Sequence, residues 1–337
     1  MAGLPGKVIS FYIVPLDPAH KAGLVAHVPA TVNLTHEDFI QLMPEWKGID
    51  LRIDVLTGGI TNKLYRVQLP DGRAYVVRLY GQKTEMFIDR DIEMRTIRQL
   101  EELGISPRLI KYLPERKVTI VEYIPGTPLK NEDFLREDLL ESIVWPIKVV
   151  HRSRVQLPRV FDPLKEVKGL FRKLVDLGQV YPEFDIQGTL NILEVLFSKA
   201  RISPRDFVPC HNDLLADNFI LVQDREKYRE PICLIDWEYA GMNTPYYEMS
   251  DMFQEILVPR HIEEKILRTY WEDQDMEEHI FKTDLFKPFP DIYWFLWSLI
   301  QLNVSSIPFD YYNYGKPKYE NALKNIQKLR EQYGLVV

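Results

Sequence analysis

Three polar side chains spaced around two short apolar runs constrain this chain more than anything else in it. His211-Asn212-Asp213 is followed five residues on by Asn218, and Asn218 by the apolar run Phe219 to Val222. A second run, Pro231 to Ile235, ends at Asp236. An Asp and an Asn in a loop are ordinarily turn formers. In the order Asp, Asn, strand, Asp they match what phosphoryl transfer from ATP requires. One carboxylate, Asp213, accepts the proton of an attacking hydroxyl. An amide oxygen and a second carboxylate, Asn218 and Asp236, hold magnesium against the phosphates. His211 reads as a structural residue that ties the loop by hydrogen bonds.

The composition admits a large soluble core. The chain has 337 residues, 46% hydrophobic and 27% charged, enough for two lobes. Lys+Arg 42 against Asp+Glu 49 gives a net charge of -7, which argues against nucleic acid as a general partner. Cys210 and Cys233 are the only cysteines, so no disulfide framework is expected. The run Val8 to Val14 is too short to span a bilayer and lacks a charged leader. It reads as an early strand, with no membrane insertion and a cytoplasmic location.

Residues 51 to 80 read as three strands. Leu51, Ile53 and Val55 alternate with polar residues, as do Tyr65, Val67 and Leu69; Pro70-Asp71-Gly72 turns the chain into Ala74 to Tyr80. Between the first two lies Thr57-Gly58-Gly59-Ile60-Thr61-Asn62. By itself this is more often an ordinary hairpin turn than a loop whose amides cradle phosphate oxygens. Arg78 sits among Val76, Val77 and Leu79. Glu93 shares a helix face with Ile97 and Leu100 on the predicted helix Asp89 to Leu103. Unpaired, either charge is costly in such surroundings, so an Arg78–Glu93 pair is expected, with the guanidinium over the phosphates. Val118 to Ile124 reads as a further strand, and Pro125-Gly126-Thr127-Pro128 as the hinge between lobes. The backbone of Glu122 to Ile124 is placed to meet the edge of adenine.

Beyond the hinge, helical spacing marks Leu139 to Val150, Leu190 to Phe197 and a closing helix from Lys316 to Tyr333. Trp294 and Trp297 stand one helical turn apart, and Phe309 to Tyr314 is dense in rings. Such a stripe is either core or an aromatic box for an ammonium group held by cation–π attraction. Glu255 offers an anionic wall beside it.

These stretches resemble the choline/ethanolamine kinase family, relatives of the aminoglycoside phosphotransferases. The resemblance is carried by Thr57 to Leu64, Val77 to Gly81, Cys210 to Asn218, Ile235 to Tyr239 and Trp294 to Gln301, in that order. It implies a two-lobed α/β (α+β) fold of the protein-kinase type. An antiparallel-sheet lobe would span residues 1–124, with 1–50 an extension of unassigned role, and a mainly helical lobe 125–337. It implies ATP and Mg2+ as cofactors, Asp213 as catalytic base, and Asn218 and Asp236 as metal ligands. Gly58, Gly59, Thr61, Asn62, Arg78, Glu93, Glu122 and Ile124 fall to the nucleotide; Tyr239, Glu255, Trp294, Trp297 and Tyr314 fall to the substrate. The implied reaction phosphorylates a small amino alcohol, choline or ethanolamine, for phospholipid headgroup synthesis, and is compatible with a homodimer. Leu215 stands where choline kinases often have Gln, and the choice between the two amino alcohols stays open.

Overall fold

The computed structural model describes residues 34–56, 62–81, 87–223, 231–273, 276–305 and 307–336. The early strand expected at Val8 to Val14 lies outside them. The described chain opens with helix α1 (His36–Leu42), whose first turn is closed by a reciprocal cap between Thr35 and Asp38. Strands β1 (Arg52–Leu56), β2 (Asn62–Gln68) and β3 (Ala74–Tyr80) follow. Then come helix α2 (Arg90–Leu100), β4 (Leu109–Leu113) and β5 (Val118–Glu122). The strands form one antiparallel sheet in the order β1-β2-β3-β5-β4.

Strand alternation sorts the faces of this sheet. Tyr65, Val67, Val77, Val118 and Ile120 pack under Phe39, Leu42, Met43 and Trp46 of the α1 segment. Residues 34–49, which carry no recognisable motif, therefore cap the sheet. Val76 and Val121 lie on the other face, and Arg78, two residues from Val76, shares it. Helix α2, capped by Asp89 and burying Glu93, Met94, Ile97 and Leu100, covers that face.

The main chain crosses to the second part after β5. The expected hinge is itself a strand, β6 (Gly126–Pro128), which pairs with β8 (Phe219–Val222), and β8 with β9 (Ile232–Leu234). A Cβ at Gly126 would stand 2.6 Å from the Leu221 carbonyl oxygen, so only glycine allows this pairing. Strand β7 (Val208–Cys210) pairs with β10 (Gly241–Asn243). Around these lie α3 (Glu137–Arg152), α4 (Pro163–Asp176), α5 (Ile186–Ala200), α6 (Pro245–Ile256), α7 (Arg260–Trp271), α8 (Glu277–Phe286), α9 (Pro288–Val304) and α10 (Tyr311–Tyr333). Helix α9 is buried from Pro288 to Gln301 without a break, the mark of a central helix rather than an amphipathic one.

The closing helix begins earlier than its sequence suggests. The expected start is Lys316, yet α10 begins at Tyr311 because the Asp310 side chain accepts from the Asn313 amide and caps it there. Tyr314 is thereby in the first turn. Gly315 lets α10 press onto α9, since a Cβ there would stand 3.0 Å from Ser298 Cβ. Among the described residues no helix is long and apolar enough to cross a membrane.

Candidate active site

The loop after β7 is held from below by one helix. Glu248 of α6 accepts the amides of His211 at 3.0 Å and Asn212 at 2.8 Å. One turn on, Asp251 accepts the Leu214 amide at 3.0 Å. Burial alone would push the Glu248 carboxyl up; a hydrogen bond with His151 and the His211 amide hold it below its ordinary value. Asn212 takes a left-handed backbone, φ 65°, which Asn tolerates, and donates to the Tyr239 carbonyl at 3.1 Å. Asp213 is thus fixed between two pinned residues. His211 Nε2 donates to the Ile235 carbonyl at 2.8 Å, which ties this loop to the end of β9 and gives the ring a structural role.

That tie brings the three predicted groups together. The Ile235 amide donates to the Asn218 carbonyl at 3.0 Å, so Asn218 and Asp236 lie on adjoining strand ends. Asn218 Nδ2 donates to the Asp213 carbonyl at 2.9 Å, which leaves its Oδ1 as the outward acceptor. Asn218 Oδ1 and Asp236 Oδ2 are both buried with no hydrogen-bond partner among the described residues. Two orphaned oxygens of this kind fit a hard divalent cation. Burial pushes the Asp213 carboxyl well up, and the nearby carboxylates of Asp251 and Asp236 push it further. A carboxylate so placed is a better proton acceptor than a solvated one.

Arg78 and Glu93 form the expected ion pair, both almost fully buried. The pair belongs to a larger network. Arg78 also reaches Asp236 at 3.2 Å, while Arg90 holds Glu93 at 2.7 Å and Glu238 at 2.9 Å. Two guanidinium groups against three carboxylates leave one negative charge over. Burial, and then Glu238, push the Asp236 carboxyl up. Glu93, Asp236 and Glu238 are close enough to share an ion. The two arginines already lie among them, so the free oxygens near Asn218 are the better metal ligands. Arg90 and Glu238 were missed by sequence reading because neither lies in an apolar run.

The predicted aromatic residues form one continuous cluster. Tyr239 meets Trp294 at 5.2 Å between ring centres, Trp294 meets Trp297 at 5.8 Å, and Trp297 meets Tyr314 at 6.2 Å. Phe87, which sequence reading left out, and Tyr311, from the ring-dense stretch, also face Trp297. Trp297 Nε1 is a buried donor without a partner among the described residues. Trp294 Nε1 donates to Asp251 at 3.1 Å, the same carboxylate that holds the Leu214 amide. Glu255 is present beside the cluster, although not as a bare wall: Lys318 of α10 forms an ion pair with it. The Lys318 ammonium lies 5.3 Å from the centre of the Tyr314 ring.

On the nucleotide side the outcome is divided. Gly58, Gly59 and Thr61 lie outside the described residues. Asn62 starts β2 as a buried residue with its Nδ2 unpartnered among them, and its Oδ1 accepts the Gly81 amide at 3.4 Å. The expected strand to Ile124 stops at Glu122. The Glu122 amide is spent on the Arg108 carbonyl at 2.9 Å and that of Tyr123 on Ala74 at 3.0 Å. Glu122 therefore offers adenine no N–H. Ile124 keeps its amide free of any described residue.

Comparison with known proteins identifies the family. A family model for choline/ethanolamine kinase matches residues 53–274. Mouse ethanolamine kinase 2 is 26% identical over 325 residues, covering 88% of this chain and 81% of the mouse protein. The crystal structure of choline kinase LicA from Streptococcus pneumoniae superposes with a TM-score of 0.72 at 25% identity, covering 87% of this chain and all of the other (100%). A Plasmodium vivax ethanolamine kinase superposes at 0.73 and 21% identity, over 85% of this chain and 87% of that one. The chain belongs to the choline/ethanolamine kinase family, enzymes that phosphorylate the hydroxyl of a small amino alcohol with ATP.

Proposed function

We propose that the residues assembled here carry that reaction as follows. Asp213 accepts the hydroxyl proton of choline or ethanolamine as the oxygen bonds to the γ-phosphorus of ATP. Arg78, held by Glu93, stands over the phosphates. Asn62 and the Ile124 amide contact the nucleotide. The substrate ammonium rests among Tyr239, Trp294, Trp297 and Tyr314. Asn218 and Asp236 would hold magnesium, which when bound offsets charge on the phosphate oxygens. The division between nucleotide and substrate lobes falls at Ile124–Pro125.

The observation that carries this reading is Asp251. One carboxylate fixes the amide next to the proposed base and the indole of the proposed ammonium box. Two ends of one small substrate are thus registered against each other, and positioning is the main source of rate in phosphoryl transfer. The test is turnover of ATP with choline, ethanolamine and their partly methylated intermediates, beside an aminoglycoside and a sugar. Phosphate transfer to at least one amino alcohol, lost on chelating divalent ions, is expected. Transfer only to the aminoglycoside or sugar overturns the assignment.

A further inference from the structure

We propose that Lys318 determines the choice between a primary and a methylated ammonium, by controlling access of the substrate to the Glu255 carboxylate. The inference rests on the amino-alcohol reading above. Around the aromatic cluster the strong acceptors are already engaged. Both oxygens of Asp251 are taken, by the Leu214 amide and the Trp294 indole. Asp291 Oδ2 accepts from Asn321 at 2.9 Å and Asn325 at 3.3 Å. Glu255 is engaged by Lys318, whose side chain is only 13% exposed and Glu255's 7%. Glu255 nonetheless lies close enough to Asp213 and Asp251 to add to the upward push that burial gives their carboxyls.

A primary ammonium carries three N–H donors that need acceptors once water is removed, whereas a trimethylated one carries none and is held by ring faces and charge alone. With Lys318 on Glu255, the box rewards charge and offers few acceptors. Lys318 also stands over Tyr314 and brings its own positive charge against the substrate's. Without Lys318, Glu255 becomes an unpaired carboxylate beside the rings. A primary ammonium can satisfy it by a charge-assisted hydrogen bond, and a trimethylated one cannot.

The experiment compares kcat/KM for ethanolamine and choline in the full-length enzyme and its variants. Lys318→Met is expected to raise the ethanolamine-to-choline ratio about tenfold, the worth of one charge-assisted hydrogen bond. Lys318→Arg, which keeps the pair, is expected to leave it within about twofold. Should Lys318→Met not fold, Lys318→Gln, which keeps a donor beside Glu255 but not the charge, decides: a ratio raised by more than about twofold supports the proposal, and an unchanged one overturns it. An unchanged ratio in Lys318→Met, or equal losses for both substrates with a lower Tm, shows a merely structural pair and overturns it. Failure of the wild-type enzyme to use either amino alcohol removes the underlying reading and this proposal with it.

Discussion

Asp251 accepts the Trp294 indole N–H at 3.1 Å on one oxygen and the Leu214 amide at 3.0 Å on the other. Replacing it by Ala strands two buried donors, each at a cost of roughly 1–3 kcal/mol. Asp251→Ala is expected to lower kcat and raise the amino-alcohol KM, each by about tenfold, with the ATP KM within about twofold of wild type. Steady-state kinetics with both substrates varied check this. Loss confined to ATP would contradict the link.

Asp213→Asn keeps size and burial but removes the proton acceptor. Turnover is expected to fall by about 10²–10⁴-fold. Nucleotide affinity, measured by calorimetric titration, is expected to stay within about twofold. A variant that keeps a tenth of its rate would exclude Asp213 as the base.

Trp297 lies between Trp294 and Tyr314. One ring face is worth about 0.5–2 kcal/mol to an ammonium group, so Trp297→Ala is expected to raise the amino-alcohol KM by roughly 2–30-fold, and Trp297→Phe by less. The ATP KM serves as the control. An unchanged amino-alcohol KM in both variants would place the ammonium elsewhere.

Arg78 is the common partner of Glu93 and Asp236. Arg78→Met leaves buried carboxylates short of a counter-charge, a loss of about 3–5 kcal/mol. For a chain of this size that lowers Tm by roughly 10 °C, read by calorimetry. Lysine is a poor substitute, because one ammonium lacks the fork that spans two carboxylates. A Tm within a degree of wild type in Arg78→Met would show that the network is dispensable for stability.

Both cysteines are buried and free. Burial pushes the Cys233 thiol up to about 12 and the Cys210 thiol well up. At neutral pH both are protonated in the native state, and neither is expected to react with iodoacetamide until the protein is unfolded. The unfolded thiols ionise near pH 9.0, the folded ones only higher, so unfolding releases protons above that point. Stability is accordingly expected to fall as pH rises through 9 towards 12, measured as urea midpoints at stepped pH. Rapid labelling of Cys210 in the native enzyme would show that the loop opens.

The Arg78–Glu93 pair was legible because two periodicities meet in it. Period two placed Arg78 inside a strand, period 3.6 placed Glu93 on the apolar face of a helix, and two buried charges of opposite sign call for each other. Asp213, Asn218 and Asp236 were legible because a loop and two short strands fix their order. The acidic stripe Glu248, Asp251 and Glu255 also has helical spacing, but a solvated helix face shows the same pattern. Glu255 was named from the sequence; Glu248 and Asp251 are distinguished only by their burial against the 211–214 loop. Strand β4 was missed because the register shift between Leu109 and Lys111 breaks the alternation a strand is read by.

The amino-acid order alone determined which groups are candidates for the chemistry and roughly which elements carry them, since local spacing and the cost of burying charge are properties of the chain. The tertiary structure alone decided which oxygens are left over. Asp251 is spent on Leu214 and Trp294, Glu255 on Lys318, while Asn218 Oδ1 and Asp236 Oδ2 stay unpaired among the described residues. A hydrogen-bond acceptor is filled or free according to what folds against it from far along the chain, and no local pattern encodes that.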